Sequence, residues 1–371
     1  MIENMRDLLQ THVSDREADR RAREWLESLD HRAAIGSRHH IVPRFLLARF
    51  ASEQEQLRVR DRSTGATSLR AIGDLAVRDF YTVVTDSHGL DSSLESLLGA
   101  VEGGAAEILR VHLDLRAFAE ARAFTPEERA VLDSFVAMQA VRGMRLRRMI
   151  EVLTDYTVKF LNQGRLTEED VLKLDFVPHP NDHLFMFGDL ANGVELTLKS
   201  RHLSLVRLDQ PLLVIGDEPV VTANHEGARP PVGCSGRSGP DMPGPAAFRS
   251  LRRGLADADA VLLAVSPSVA MLYGPTGVWG GAFEHVLTEG DASSFAAEHN
   301  ALVVASSIDW VAANPDHDGL VSMQMPPLAP ILTVTDGGSA AARRVNGAAA
   351  RRPIRRLRAD DVPPGASDAF A

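Results

Sequence analysis

The sequence predicts an α+β protein, in which a helical N-terminal half with one long helix packs against a mainly antiparallel sheet. Two observations lead to this prediction. Apolar residues recur at helical spacing through residues 91–117 and 126–162. Short apolar or alternating runs, bounded by turn residues, mark residues 55–84 and 195–275 as strands. We therefore expect the sheet to be built from these last two ranges.

Length and composition divide the chain into three parts. The 371 residues, of which 44% are hydrophobic, are enough for one sizeable globular core. Residues 1–37 predict a helical extension. Residues 38–335 predict a single α+β domain, with a mobile loop at about 224–249 where Gly and Pro are frequent. Residues 336–371 are rich in Ala, Gly and Arg, a composition that predicts a disordered tail.

Charge and cysteine content exclude several classes of function. The formal net charge of −10 gives no attraction for phosphate backbones or anionic lipid, so nucleic acid is a disfavoured partner. The single cysteine, Cys234, rules out an internal disulfide framework and a multi-cysteine zinc site. No apolar run is long enough to predict a membrane span, and the first residues lack the apolar stretch of a secretory signal. We therefore expect a cytoplasmic protein without a membrane partner.

The first element of the domain places two histidines directly before a helix. Pro43 suits the first turn of a helix, and the residue before a proline is extended, so His39 and His40 are expected in an extended segment. Adjacent side chains then point to opposite faces, and one imidazole can bind metal while the other acts as a base. The pair also opens many His-Asn-His nucleases, although residues 51–80 contain no Asn or His to complete that motif. The alternative is that His40 caps the helix or is a hydrogen-bonded core histidine.

The helix predicted at 91–117 carries two carboxylates on one face. Glu95 and Glu102 are seven residues apart, which is close to two helical turns. Glu102 precedes Gly103 and Gly104, where another element can approach closely, so it is the candidate acid, base or metal ligand. The alternative for both residues is a solvated helix face, and we favour it for Glu95.

The longest predicted helix follows. Thr125 caps its start, and the helix is expected to run to about Asn162 because only Gly143 interrupts its pattern. Gln139 and Arg142 share one face of this helix. A guanidinium can hold a phosphate or carboxylate with two parallel hydrogen bonds, so both residues are candidate substrate ligands. The alternatives are a structural ion pair or a solvated basic face.

Two further candidates lie in the second half of the chain. Asp217 follows a buried strand, a common position for a group that binds a ligand or metal. The alternative is an Asx-type turn ahead of Pro219. Asn300 is a candidate for a ligand contact or for a helix cap.

In order along the chain, these patterns resemble a known family. The resemblance begins with His40-x-Val42-Pro43-Arg44-Phe45-x-Leu47-x-x-Phe50 and continues with Gln139-x-x-Arg142, Gly216-Asp217-Glu218-Pro219-Val220 and Asn300. The chain is similar there to a widespread bacterial family catalogued as domain of unknown function 4238, in which Ser or Thr is usual where this chain has Gly216. The resemblance covers roughly residues 38–313. It implies a shared fold and no particular activity.

Two hypotheses for the function follow from these candidates. The first is a metal-dependent hydrolase that acts on a phosphorylated or nucleic-acid substrate. The expected catalytic residues are His40, Glu102 and Arg142. The expected substrate ligands are Arg142, Gln139 and Asn300. The expected ligands of a divalent metal ion are His39, His40, Glu102 and Asp217. The second hypothesis is a non-catalytic sensor or interaction module of a bacterial stress or defence system.

Overall fold

A computed structural model describes residues 39–78, 83–84, 90–115, 122–178, 180–223, 255–274, 282–332 and 339–348. The extension expected at residues 1–37 and the loop expected at about 224–249 lie outside the described residues. Within the described part the fold is α+β, as the sequence predicts.

The described helices and strands are numbered in chain order. The helices are α1 (Arg44–Ala48), α2 (Ser93–Leu109), α3 (Pro126–Val141), α4 (Met144–Leu161), α5 (Glu168–Lys173), α6 (Pro180–Lys199), α7 (Glu289–Ser306), α8 (Gly319–Ser322) and α9 (Ala340–Asn346). The strands are β1 (His39–His40), β2 (Gln56–Asp61), β3 (Thr67–Ala71), β4 (Val77–Arg78), β5 (Val83–Val84), β6 (Leu90–Asp91), β7 (His202–Leu208), β8 (Ile215–Gly216), β9 (Val220–Ala223), β10 (Ala260–Ser266), β11 (Val269–Gly274), β12 (Glu284–Leu287) and β13 (Trp310–Ala313).

Two larger sheets form the β part of the fold. One has five strands in the order β12-β7-β11-β10-β9, and all its pairs are antiparallel except β12 with β7. The other has the order β3-β2-β13-β8 and is antiparallel throughout. Strands β12 and β13 come from outside the two ranges in which the sheet was expected. Each of these two strands has only four residues, too few for its alternation to stand out in the sequence.

The long helix predicted from Thr125 to about Asn162 is two helices. Its start is as predicted, because Thr125 and Glu128 form a capping box with N–H···O distances of 3.2 and 2.9 Å. The helix breaks at Gly143, whose extended backbone (φ −69°, ψ 166°) caps α4. A Cβ atom at Gly143 would lie 2.1 Å from a carboxylate oxygen of Glu218. The break therefore falls at the one glycine of the predicted helix, beside a carboxylate from a residue distant in sequence.

Two helices differ from the sequence expectation. Helix α6 ends at Lys199, inside the range expected to form strands, and packs against α3 through the buried Leu198. Helix α9 lies within the tail that was expected to be disordered. Its small side chains Ala341, Ala342 and Val345 are buried against α4 and α5, and this groove orders the segment despite its composition.

The hydrophobic interior has two parts. The main core joins α1, α2, α3, α6 and α7 with both larger sheets. A smaller cluster lies between α4, α5 and α9. Among the described residues, no helix is both long and apolar enough to cross a membrane.

Candidate functional site

Arg142 lies at the C-terminal end of α3, where its backbone N–H donates to the Met138 carbonyl at 3.0 Å. Only 2% of the residue is exposed. Its guanidinium forms an ion pair with Glu102 of α2 and donates a hydrogen bond to the main-chain carbonyl of His40 in β1. One side chain thus connects three elements that are far apart in sequence.

Gln139 lies one turn before Arg142 and makes a parallel contact. Its amide nitrogen donates to the carbonyl oxygen of Ile41 at 2.9 Å. The side chains of Gln139 and Arg142 therefore hold the consecutive carbonyls of His40 and Ile41 against α3. Pro43 favours an extended backbone in the residue before it. The segment is therefore held both by the side chains of α3 and by the proline that follows it.

Glu95 and His39 complete this group, which we call the Arg142 cluster (His39, His40, Glu95, Glu102, Gln139, Arg142). Burial raises the pKa of Glu95, Arg142 and His39 oppose that rise, and Glu102 adds to it. Glu95 is half-buried rather than solvated as expected, and its Oε2 atom has no hydrogen-bond partner among the described residues. His39 is fully buried. The cluster therefore holds several ionisable side chains in a largely buried position.

A second buried group follows β8, and we call it the carboxyl pair (Asp217, Glu218). The carboxylate of Asp217 accepts hydrogen bonds from the backbone N–H groups of Ile308 at 2.9 Å and Asp309 at 2.6 Å. Glu218 accepts from the backbone N–H of Arg145, at the start of α4, at 2.7 Å. Both residues are buried. The pair thus ties the β8–β9 turn to two other segments.

Burial also shifts the titration of this pair. Burial raises the pKa of Asp217 to about 6, with the nearby Asp309 adding to the rise. Burial and the charge of Asp217 raise the pKa of Glu218 to about 8. Glu218 is therefore mostly protonated at neutral pH. Arg145, whose guanidinium donates to the Ser306 carbonyl at 2.8 Å, partly offsets both shifts.

Gly143 lies between the two groups. Arg142 before it belongs to the Arg142 cluster, and the carboxylate of Glu218 occupies the space beside it. The break between α3 and α4 is therefore the place where the two buried polar groups meet, and this junction is the candidate functional site.

The structure brings together some of the residues that the sequence singled out. His40, Glu102, Gln139 and Arg142 lie together, and His40 contributes its main-chain carbonyl to the contact with Arg142. Asn300 is instead a clamp on the segment before β8. Its side chain accepts from the Val214 N–H at 3.0 Å and donates to the Leu212 carbonyl at 2.8 Å.

The residues expected to bind a metal ion do not form one group. Within the described ranges, no three His, Cys, Asp or Glu side chains lie together in a way that could hold a metal ion. The four expected ligands, His39, His40, Glu102 and Asp217, are all among those residues. Each carboxylate oxygen of Asp217 accepts a hydrogen bond from a backbone N–H group, so this side chain has a structural role after β8.

Sequence reasoning missed Glu95, Glu218 and Arg145. The spacing of Glu95 from Glu102 shows the shared face but not that another element covers it. Glu218 is next to Asp217, and that adjacency alone could have marked a buried pair after a buried strand. Arg145 lies on a helix with many basic residues and has no distinguishing local pattern.

A comparison with protein families identifies the family of the chain. The model of a family described as "Protein of unknown function (DUF4238)" matches residues 38–317. This confirms the family that the sequence resembles. Neither a curated protein nor a solved structure matches the chain.

Proposed function

The chain belongs to this family of proteins of unknown function, and we propose that it acts as a non-catalytic sensor or interaction module. In this proposal the Arg142 cluster is a structural network that holds the segment before Pro43 in place. The setting that we propose with it is the cytoplasm of a bacterium, in a stress or defence system.

The observation that carries this proposal is the state of the Arg142 side chain. A guanidinium that binds a substrate anion needs open N–H groups and access from solvent. Arg142 is 2% exposed, and both terminal nitrogens already donate, one to Glu102 and one to the His40 carbonyl. An incoming anion would have to enter this closed site and compete with Glu102 for the guanidinium.

The other candidates support the same interpretation. Gln139, Asn300 and Asp217 each hydrogen-bond to main-chain groups of distant segments. Buried polar side chains that bond to main-chain groups in this way have a structural role that requires no ligand.

Glu102→Gln tests the proposal. Active-site groups usually cost stability, so their replacement is neutral or stabilising, whereas loss of a structural ion pair is destabilising. We expect Glu102→Gln to lower the free energy of unfolding by about 1–3 kcal/mol, measured by urea unfolding. Glu107→Gln is the matched control, because Glu107 lies on the same helix and pairs with Arg110 on the exposed surface. We expect little change in the control.

A hydrolase of phosphorylated substrates is the second candidate, and the carboxyl pair favours it. General acids and bases work best when their pKa lies near the operating pH, and burial brings Asp217 and Glu218 into that range. The two candidates separate in one assay of phosphorylated and nucleic-acid substrates. The second proposal would replace the first if two results were found together. The wild type would turn over a substrate and Glu218→Gln would not, and Glu102→Gln would be as stable as the wild type.

A further inference from the structure

Helix α9 lies beyond the part of the chain that matches the family model, yet it packs on helices within that part. The match ends at residue 317, and α9 spans Ala340–Asn346. It contacts α4 and α5 and belongs to the small hydrophobic cluster between them. Helix α9 therefore lies outside the matched range and occupies a groove formed by helices inside it.

The groove is apolar at its centre. Val152 and Tyr156 of α4 and Val171 of α5 line it, and each is nearly fully buried. The Tyr156 ring stacks on Phe160, with 5.8 Å between ring centroids. Without α9 these side chains would lose the cover that buries them.

The apolar contribution of α9 itself is small. Its buried side chains are Ala341, Ala342 and Val345, which offer far less apolar surface than leucine or phenylalanine. A solvent-open pocket of about 250 Å³ lies between α4, residues 175–177 and the end of α9, and charged side chains make up much of its lining. A helix of seven residues is also too short to be stable on its own. The segment is therefore helical only while it is docked.

Two arginines supply the rest of the attachment. Arg343 pairs with Glu168 of α5 at 2.6 Å, and both side chains are more than half exposed. Arg344 pairs with Asp175, donates to the Leu172 carbonyl, and lies 3.4 Å from the carboxylate of Asp155. The exposed pair of Arg343 with Glu168 is screened by dissolved salt. The Arg344 side chain is only 23% exposed and that of Asp155 15%, so salt weakens their contact less.

We propose that α9 is a detachable strap, which ion pairs hold over the apolar groove of α4 and α5 and which salt releases before the domain unfolds. Release uncovers Val152, Tyr156 and Val171 while the main core stays intact. The proposal concerns a surface apart from the Arg142 cluster and stands independently of the proposed function.

Hydrogen exchange of the full chain, measured by mass spectrometry, tests the strap. The amides of residues 340–346 should exchange much faster than those of α4 at any salt concentration. Raising NaCl from about 0.02 to about 0.5 M, which shortens the screening length several-fold, should increase their exchange about two- to fivefold and leave α4 unchanged. If residues 340–346 exchange at the rate of α4, with no response to salt, the strap is an integral part of the domain and the proposal is overturned.

A charge reversal on α5 isolates the ion pair. Glu168→Arg should accelerate exchange of residues 340–346 at low salt, because it repels Arg343. The double variant Glu168→Arg with Arg343→Glu should restore protection. The matched control is Glu169→Arg, since Glu169 is similarly exposed on the same turn but pairs with Lys173 of its own helix. Equal effects of Glu168→Arg and Glu169→Arg would count against attachment by this pair and would sink the proposal.

Discussion

The Arg142 cluster and the carboxyl pair meet at Gly143, and they bury charge in different ways. In the cluster a buried guanidinium is matched by Glu102, with Glu95 close by, so the charge stays and is neutralised by a partner. In the pair, burial together with the neighbouring Asp217 keeps Glu218 protonated at neutral pH, so its charge is removed. The two groups should therefore respond oppositely to substitution by neutral side chains. Neutral substitutions in the cluster should lower the free energy of unfolding, and a neutral substitution of Glu218 should raise it.

Arg142→Ala is expected to have the largest effect. It leaves Glu102 and Glu95 without their nearest cation and the His40 carbonyl without a donor. Removal of one member of a buried ion pair typically costs about 3–5 kcal/mol, and we expect a loss of that size in the free energy of unfolding, measured by urea titration.

Arg44→Ala is the control for the loss of an arginine ion pair. Arg44 pairs with Glu55 at 2.8 Å, and both side chains are about 60% exposed. Such pairs contribute about 0–1 kcal/mol. If Arg142→Ala costs no more than Arg44→Ala, the cluster contributes little to the fold, and its polar groups are available for another role.

Glu218→Gln is expected to have the next largest effect, with the opposite sign. The folded protein holds the pKa of Glu218 at about 8, against 4.5 for an ordinary glutamate. Between these values the unfolded chain releases the proton and the folded chain retains it, so the wild type loses stability as pH rises from about 4.5 to about 8. Each unit of pH in this range corresponds to about 1.4 kcal/mol at most.

Glutamine has the shape of the protonated carboxyl and does not titrate. The variant therefore does not lose stability as the pH rises. We expect the stability difference between Glu218→Gln and the wild type to grow with pH up to about 8 and then to level off. Urea unfolding at pH 5, 7 and 9 measures it. A difference that is constant over this range would mean that Glu218 is ionised in the folded protein, and the contrast with the Arg142 cluster would fail.

The contrast also shows which parts of the candidate site the sequence predicts. Helical spacing puts Gln139 and Arg142 on one face of α3, and Pro43 indicates the extended segment that they contact, but burial of Glu95 has no local signal. The sequence does not predict which atom of His40 is used, because a main-chain carbonyl has no sequence signature. The carboxyl pair was only half predicted, since the burial of Glu218 depends on α4.

The fold shows the same difference between local signals and contacts of distant residues. The start of α3 at Thr125 is a local signal and is correct. The break after α3 falls at Gly143, the one interruption of the helical pattern, but the contact with Glu218, 75 residues later, has no local signal. Helix α9 has a composition typical of disorder and is ordered by a groove formed elsewhere in the chain. Local patterns therefore indicate where α3 starts and breaks, while contacts of distant residues order α9 and bring Glu218 to the break.

Gly143→Ala gives the smallest expected effect and tests the junction itself. A Cβ atom at this position would lie 2.1 Å from one carboxylate oxygen of Glu218 and 2.6 Å from the other. Glu218 would have to move, and the start of α4 would lose the acceptor for the Arg145 N–H. Overpacking of this kind costs about 1–3 kcal/mol, which we expect as a lower midpoint of urea unfolding.

Gly103→Ala is the matched control, because both substitutions add one methyl group but only one meets an obstacle. Gly103 is an exposed residue inside α2 with no atom within 4 Å of the added Cβ, so alanine should stabilise the helix by about 0.5–1 kcal/mol. A stabilising effect at both positions would mean that Glu218 moves aside freely. The carboxyl pair would then not define the break between α3 and α4, and the two buried groups would be neighbours without being coupled.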